Sequence, residues 1–165
     1  MNFLTLWKSI RETQKQSDHS KLSTYFIFKQ HFSFETYLTI KDKEKRSTLA
    51  RFRLSNHRLR IETGRYEKKR DEKGKLITLP RSERICQFCK LNRVEDEIHF
   101  LFNCTKYSKE RETFVNNLFT KHIQLSNLSQ ENLFLWCMTN ESSHFNIELI
   151  NLISLFYTLR IEFVS

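Results

Sequence analysis

The sequence predicts a mostly α fold: a small helical bundle interrupted by one compact cysteine-rich insertion. Three observations predict it. Only two Gly and one Pro occur in 165 residues, so the residues that most often break regular structure are scarce. Hydrophobic residues make up 39%, including fifteen Phe, which is the composition of a chain that buries a core. Three of the four cysteines, with one histidine between them, fall between Cys86 and Cys104.

The elements follow in order. Residues 1–16 place Phe3, Leu6, Trp7 and Ile10 at helical spacing. "SDHS" offers capping residues ahead of "KLSTYFIFKQHF", an apolar run whose pattern allows helix or strand and is assigned here to helix. "FETYLTI" is ambiguous. "KDKEKRSTLARFRLSNHRLRIE" reads as one helix of about four turns, given its strong helix formers, and Gly64 marks a turn or C-cap. "EKKRDEKGKLITLP", residues 67–80, reads as an exposed charged loop. "TKYSKERETFVNNLFTKHI" is helical. Ser129 opens a further helix as its cap. Residues 147–164 form the clearest helix, with Leu149, Ile150, Leu152, Ile153, Phe156, Tyr157, Leu159, Ile161, Phe163 and Val164 on one broad face. Arg160 falls inside that face. It reads as snorkelling toward the helix end, or else as a paired arginine bracing a second element. The organisation is therefore an N-terminal helical part (1–66), a charged loop (67–80), a knuckle (81–107) and C-terminal helices (108–165), all on one core.

No segment is long and apolar enough to span a bilayer, since 147–164 carries Glu148, Arg160 and Glu162. "MNFLTLWKSIRETQ" lacks the apolar length of an export signal. The expectation is a soluble intracellular chain with no membrane partner. Thiols stay reduced there, which turns attention from disulfides to metal ligation.

The spacing Cys86-x2-Cys89-x9-His99-x4-Cys104 suits a closed Cys3His site. A Cys-x2-Cys turn brings two thiolates onto one ion and a distant His–Cys pair completes a tetrahedron, which points to one structural Zn2+. On a continuous α-helix His99 and Cys104 would lie about 140° apart, so the helix carrying His99 must end or distort before Cys104. The acids of "EDE" (95–97) suit the first turn of that helix. The competing reading makes His99 a core histidine and Cys104 a buried small apolar residue. Cys137, within "LFLWCM", is assigned to core packing. A catalytic zinc would need an open position, which four protein ligands do not leave.

The net charge is +9, and residues 41–75 hold fourteen Lys/Arg against six Asp/Glu. Such a block suits a polyanionic partner. On a helical wheel for 43–60, Arg46, Arg53, His57 and Arg60 share one face, and Arg51 and Arg58 form a second line. Arg65, Tyr66, Lys68, Lys69, Arg70, Arg81 and Arg84 continue the basic surface toward the knuckle, with Tyr66 placed to stack on a base. The competing reading packs the arginine stems among Leu49, Phe52 and Leu59, or pairs their heads with Glu95, Asp96 and Glu97.

"CQFCKLNRVEDEIHFLFNC" followed by "TKYSKER", and preceded by "RLSNHRLRIETGRY" and "LPRSERI", resembles the zinc-binding region near the C-terminus of non-LTR (LINE-type) retrotransposon reverse transcriptases. The resemblance runs from about residue 21 to 118 and is closest over 52–66 and 79–107. "KKRDEKGKLIT" departs from it, the family interval being shorter and proline-bearing. The resemblance implies zinc on Cys86, Cys89, His99 and Cys104, a nucleic-acid partner (template RNA or target DNA), a neighbouring polymerase domain or other protein partner, and a nuclear location. It does not carry catalysis over, because the sequence contains no Asp-Asp polymerase box and no phosphate-cradling Gly-rich loop. The function expected is a noncatalytic, zinc-stabilised nucleic-acid-binding module, a fragment or remnant of such a reverse transcriptase. The alternative is a structural or protein-interaction domain whose basic surface is incidental.

Overall fold

With few residues to interrupt it, the chain spends most of its length in helices. The computed structural model describes residues 3–15 and 22–161; the expected cap "SDHS" and the residues Glu162, Phe163 and Val164 lie outside them. Helices α1 (Phe3–Lys15) and α2 (Ser23–Phe28) come first, then a 3-10 turn at Thr36–Thr39 and α3 (Lys43–Arg53). A short α4 (Arg60–Thr63) runs into a 3-10 turn at Gly64–Tyr66. Strands β1 (Lys68–Arg70) and β2 (Leu76–Thr78) follow, then the knuckle, and then α5 (Ser108–Lys121), α6 (Gln130–Thr139) and α7 (Ser143–Ile161).

Helix α7 is the axis of the fold. Its Leu149, Ile150, Ile153 and Phe156 are buried against Leu49 and Phe52 of α3, Leu59 and Ile61 around α4, and Phe100 and Leu101 of the knuckle. Aromatic rings fill the centre: Tyr107 stacks on Phe156 with centroids 4.4 Å apart, and Phe100 meets Phe156 edge-on at 5.4 Å. Residues on both sides of 67–80 share this one cluster. Cys137 lies inside it, and burial pushes its thiol well above the usual range. As expected, Ser129 caps α6, its hydroxyl accepting from the Asn132 N–H at 3.2 Å.

Two expectations are corrected. The long basic helix is two helices, not one. At its break Ser55 adopts a left-handed φ of 51°, the Ser55 N–H donates to Phe52 O, and the Asn56 N–H donates to Arg51 O at 2.7 Å. This is a Schellman ending with serine where glycine is usual. Ser55 tolerates it because its buried hydroxyl donates to Glu97 at 2.6 Å, a tertiary bond that a helical wheel cannot register. The supposed loop at 67–80 is a two-stranded antiparallel hairpin, Lys69 opposite Ile77. Gly74, at φ 77°, makes its turn, and the Asp71 carboxylate accepts the N–H groups of Lys73 and Lys75. Gly64 is the C-cap of α4, as expected, with a right-handed φ of −64° and its N–H donating to Arg60 O. Glycine is required there because a Cβ would sit 2.8 Å from Cγ of Arg84.

Candidate metal centre and the basic surface around it

The knuckle is built from short-range bonds. An antiparallel bridge between Ile85 and Val94, with the Cys86 N–H donating to Arg93 O at 2.9 Å, turns the chain back on itself around Asn92, whose φ is 50°. Inside that turn the Phe88 N–H donates to Cys86 Sγ at 3.4 Å. The helical turn carrying His99 starts where the acids predicted. Asp96 accepts the His99 N–H at 2.8 Å on its side chain and the Phe100 N–H at 2.9 Å on its carbonyl.

The distortion required between His99 and Cys104 is a π-turn over His99–Asn103. The Cys104 N–H donates to His99 O at 2.7 Å, an i→i+5 bond that draws in two side chains an α-helix would splay apart. Cys104 itself is extended (φ −61°, ψ 121°), which ends the turn. Arg111 of α5 holds this geometry, its guanidinium donating to Leu101 O at 2.7 Å and to Cys104 O.

One ligand atom each from Cys86, Cys89, His99 and Cys104 lies within 4.8 Å of all the others. Cys86 Sγ and Cys104 Sγ are 3.8 Å apart, and Cys89 Sγ and His99 Nε2 are 3.4 Å apart. A disulfide is excluded by that separation, since a bonded S–S distance is about 2.05 Å. A tetrahedral ion at about 2.3 Å from sulfur and about 2.0–2.1 Å from nitrogen needs S···S edges of about 3.8 Å and S···N edges of about 3.5 Å. The two separations Cys86–Cys104 and Cys89–His99 fit these edges. The charge chemistry points the same way. The Cys86 thiol is pushed up to about 12 by its hydrogen bond to the Cys104 sulfur and by burial, while the same contact lowers Cys104. Three sulfurs packed this closely ionise together only around a cation. Cys86, His99 and Cys104 are buried and Cys89 is half-buried, so the group opens to solvent at Cys89.

Glu95 and Glu97, both 1% exposed, tie this centre to the bundle. Glu95 accepts the Arg60 N–H at 2.7 Å and pairs with the Arg160 guanidinium, Nη2 at 3.0 Å. Arg160 also donates to Arg58 O and covers the Phe88 ring at 4.0 Å. Arg160 therefore braces the knuckle against α7 and does not snorkel. Glu97 accepts from Ser55, from Thr24 at 3.0 Å and from His57 Nε2 at 3.0 Å. The sequence reading placed both glutamates at a helix start and, in its competing form, against the heads of the basic helix; it assigned Arg111 no role.

The thirteen proposed basic and aromatic contacts separate into three groups. Arg53, His57 and Arg84 are internal. Arg53 is buried, pairs with Glu35 at 2.8 Å, donates to Met138 O and lies over the Phe28 ring. The His57 side chain is 1% exposed on Glu97. Arg84, also buried, donates to Ile61 O at 2.8 Å and Leu79 O at 3.1 Å. The reason is common to all three: each satisfies a buried acceptor that burial of the core would otherwise strand. Arg46 donates to Ile40 O, Arg60 pairs with Glu67 and Arg65 with Glu62. Lys69 pairs with Glu83. Arg51, Arg58, Tyr66, Lys68, Arg70 and Arg81 are exposed, Tyr66 at 79%. The sequence reading omitted Lys73 and Lys75 of the hairpin turn and Lys90 and Arg93 beside Cys89, which are exposed as well.

Fold and site together define a small, mostly helical domain with a Cys3His group that could hold one metal ion. Comparison with protein-family models, with curated proteins and with solved structures finds no match for the chain. Among the described residues, no helix is long and apolar enough to cross a membrane.

Proposed function

We propose that the chain is a noncatalytic zinc module that binds nucleic acid, a fragment or remnant of a non-LTR reverse transcriptase that holds template RNA or target DNA. One observation carries the metal: three thiols and an imidazole gathered within 4.8 Å of one another, two of their separations matching the edges of a zinc tetrahedron and three of the four residues buried. Zinc there has a structural role, pinning Cys86–Cys89 to the π-turn. Two further facts favour the noncatalytic reading. Four protein ligands leave no place for water, and two adjacent carboxylates, Glu95 and Glu97, are engaged by Arg160, Ser55 and His57.

The nucleic-acid reading rests on the exposed cations beside the knuckle. Tyr66, Lys68, Arg70, Lys73 and Lys75 stand on and around the hairpin, with Arg81, Lys90 and Arg93 nearby in the chain. Phosphate contacts of this kind position a strand without reading its sequence. Elemental analysis should find one zinc per chain, and a folded metal-free protein would overturn that part. Single-stranded RNA or duplex DNA should be retarded in gels at low salt and released between about 50 and 200 mM salt. Replacing Lys68, Arg70, Lys73 and Lys75 by Gln should abolish retardation. Binding indifferent to salt and to these substitutions sinks the reading. The protein-interaction alternative draws on Ile27, Phe32 and Phe34, which leave apolar surface exposed near α2. It predicts no retardation at any salt.

A further inference from the structure

The turn that breaks the basic helix also builds a cleft. After the left-handed Ser55, Asn56, His57 and Arg58 pass over the C-terminal half of α7. Together with Thr48, Arg51, Tyr157, Arg160 and Ile161 they line a depression of about 400 Å3. Among the described residues, no carboxylate lines it. Arg160 is neutralised by Glu95, and His57 is hydrogen-bonded to Glu97. Arg51 and Arg58 are exposed, and no acidic partner is seen for either among the described residues.

Two features hold the site in place. The Arg58 carbonyl accepts from Arg160 Nη2 at 3.0 Å, and the Asn56 N–H donates to Arg51 O at 2.7 Å, so the backbone carrying both arginines is tethered. Tyr157 also lines the cleft, its hydroxyl buried and without a hydrogen-bond partner among the described residues. Two planar guanidinium donors and an amide, with no acid among the described lining residues, suit a small tetrahedral oxyanion.

We propose that this α3–α7 cleft is a phosphate-binding site, using Arg51 and Arg58 as its charged donors. It is separate from the hairpin surface, and insofar as the phosphate belongs to a nucleic-acid strand it rests on the function proposed above. The test is titration of the full chain with inorganic phosphate, and separately with a short single-stranded oligoribonucleotide, followed by amide and arginine side-chain NMR signals. Phosphate should produce saturable shifts at residues 51–58 and 157–161. The variant Arg51→Gln/Arg58→Gln should weaken phosphate binding at least about tenfold, as expected for loss of charge-assisted bonds. Lys41→Gln/Lys109→Gln, which removes equal charge from exposed positions outside both surfaces, should leave it unchanged. Absence of saturation, or equal affinity in the Arg51/Arg58 variant, overturns the site even if the oligonucleotide still binds through the hairpin. Saturation by phosphate with no oligonucleotide binding supports the site and identifies free phosphate or a phosphomonoester as its ligand, and the nucleic-acid reading then fails alone.

Discussion

Buried charge is the central theme at the scale of single residues. Arg160 and Glu95 form a pair whose side chains are 12% and 1% exposed. Removing one partner of such a pair leaves an uncompensated charge. Arg160→Met should therefore cost about 3–5 kcal/mol in urea unfolding, and combining it with Glu95→Gln should recover part of that loss. Glu35 gives a pH dependence. Burial raises its pKa, but Arg53 and Lys29 outweigh burial and hold the carboxyl below its ordinary value of 4.5. A depressed carboxylate stabilises the fold fully above the unfolded pKa and loses that contribution as pH falls through the folded value. Wild type and Glu35→Gln should therefore differ in urea midpoint at pH 7 and converge as the pH drops below about 4. A constant difference across that range would rule the pairing out as the source.

At the scale of elements, local backbone demands decide where helices stop. Ser55 holds a left-handed conformation that an L side chain adopts at a cost. Ser55→Ala and Ser55→Gly both lose the hydroxyl bond to Glu97, but only glycine relieves the backbone. The alanine variant should be less stable than the glycine variant by about 1 kcal/mol in denaturant melts. Gly64 poses a different problem, one of space. Arg84 cannot retreat from an added Cβ without giving up its bonds to Ile61 and Leu79, so Gly64→Ala should cost about 1–3 kcal/mol. The π-turn is the element the centre depends on. Without it, the five-residue step from His99 to Cys104 would place the two ligands on different faces of a helix.

At the scale of the molecule, the knuckle and bundle stabilise one another. Glu95 and Glu97 reach from the knuckle to α4, α7 and the Ser55 turn, while Phe100 and Leu101 enter the core. Metal bound at the cysteines should thus stabilise the whole cooperative unit. A strong chelator is expected to lower the melting temperature by at least about 10 °C by circular dichroism, with zinc but not magnesium restoring it. An unchanged melting curve would mean that the cysteines contribute packing alone.

The helical class, the capped α6, the apolar face of α7 and the Cys86–Cys89–His99–Cys104 set were legible in the sequence, because each rests on spacing along the chain. Even the break before Cys104 followed from angular arithmetic, although its form as a π-turn did not. The Arg-rich face was legible only as charge. Whether an arginine meets solvent or a buried acceptor depends on residues far away in sequence: Glu35 and Met138 for Arg53, Ile61 for Arg84, Glu95 for Arg160. The hairpin at 67–80 was missed for a similar reason, since pairing across a turn satisfies backbone groups that composition alone assigns to water. The sequence by itself thus determined the fold class and the ligand set, both written in local periodicity. The tertiary structure alone decided which charges are structural and which remain available at the surface, because burial and partnership are properties of contacts between distant segments.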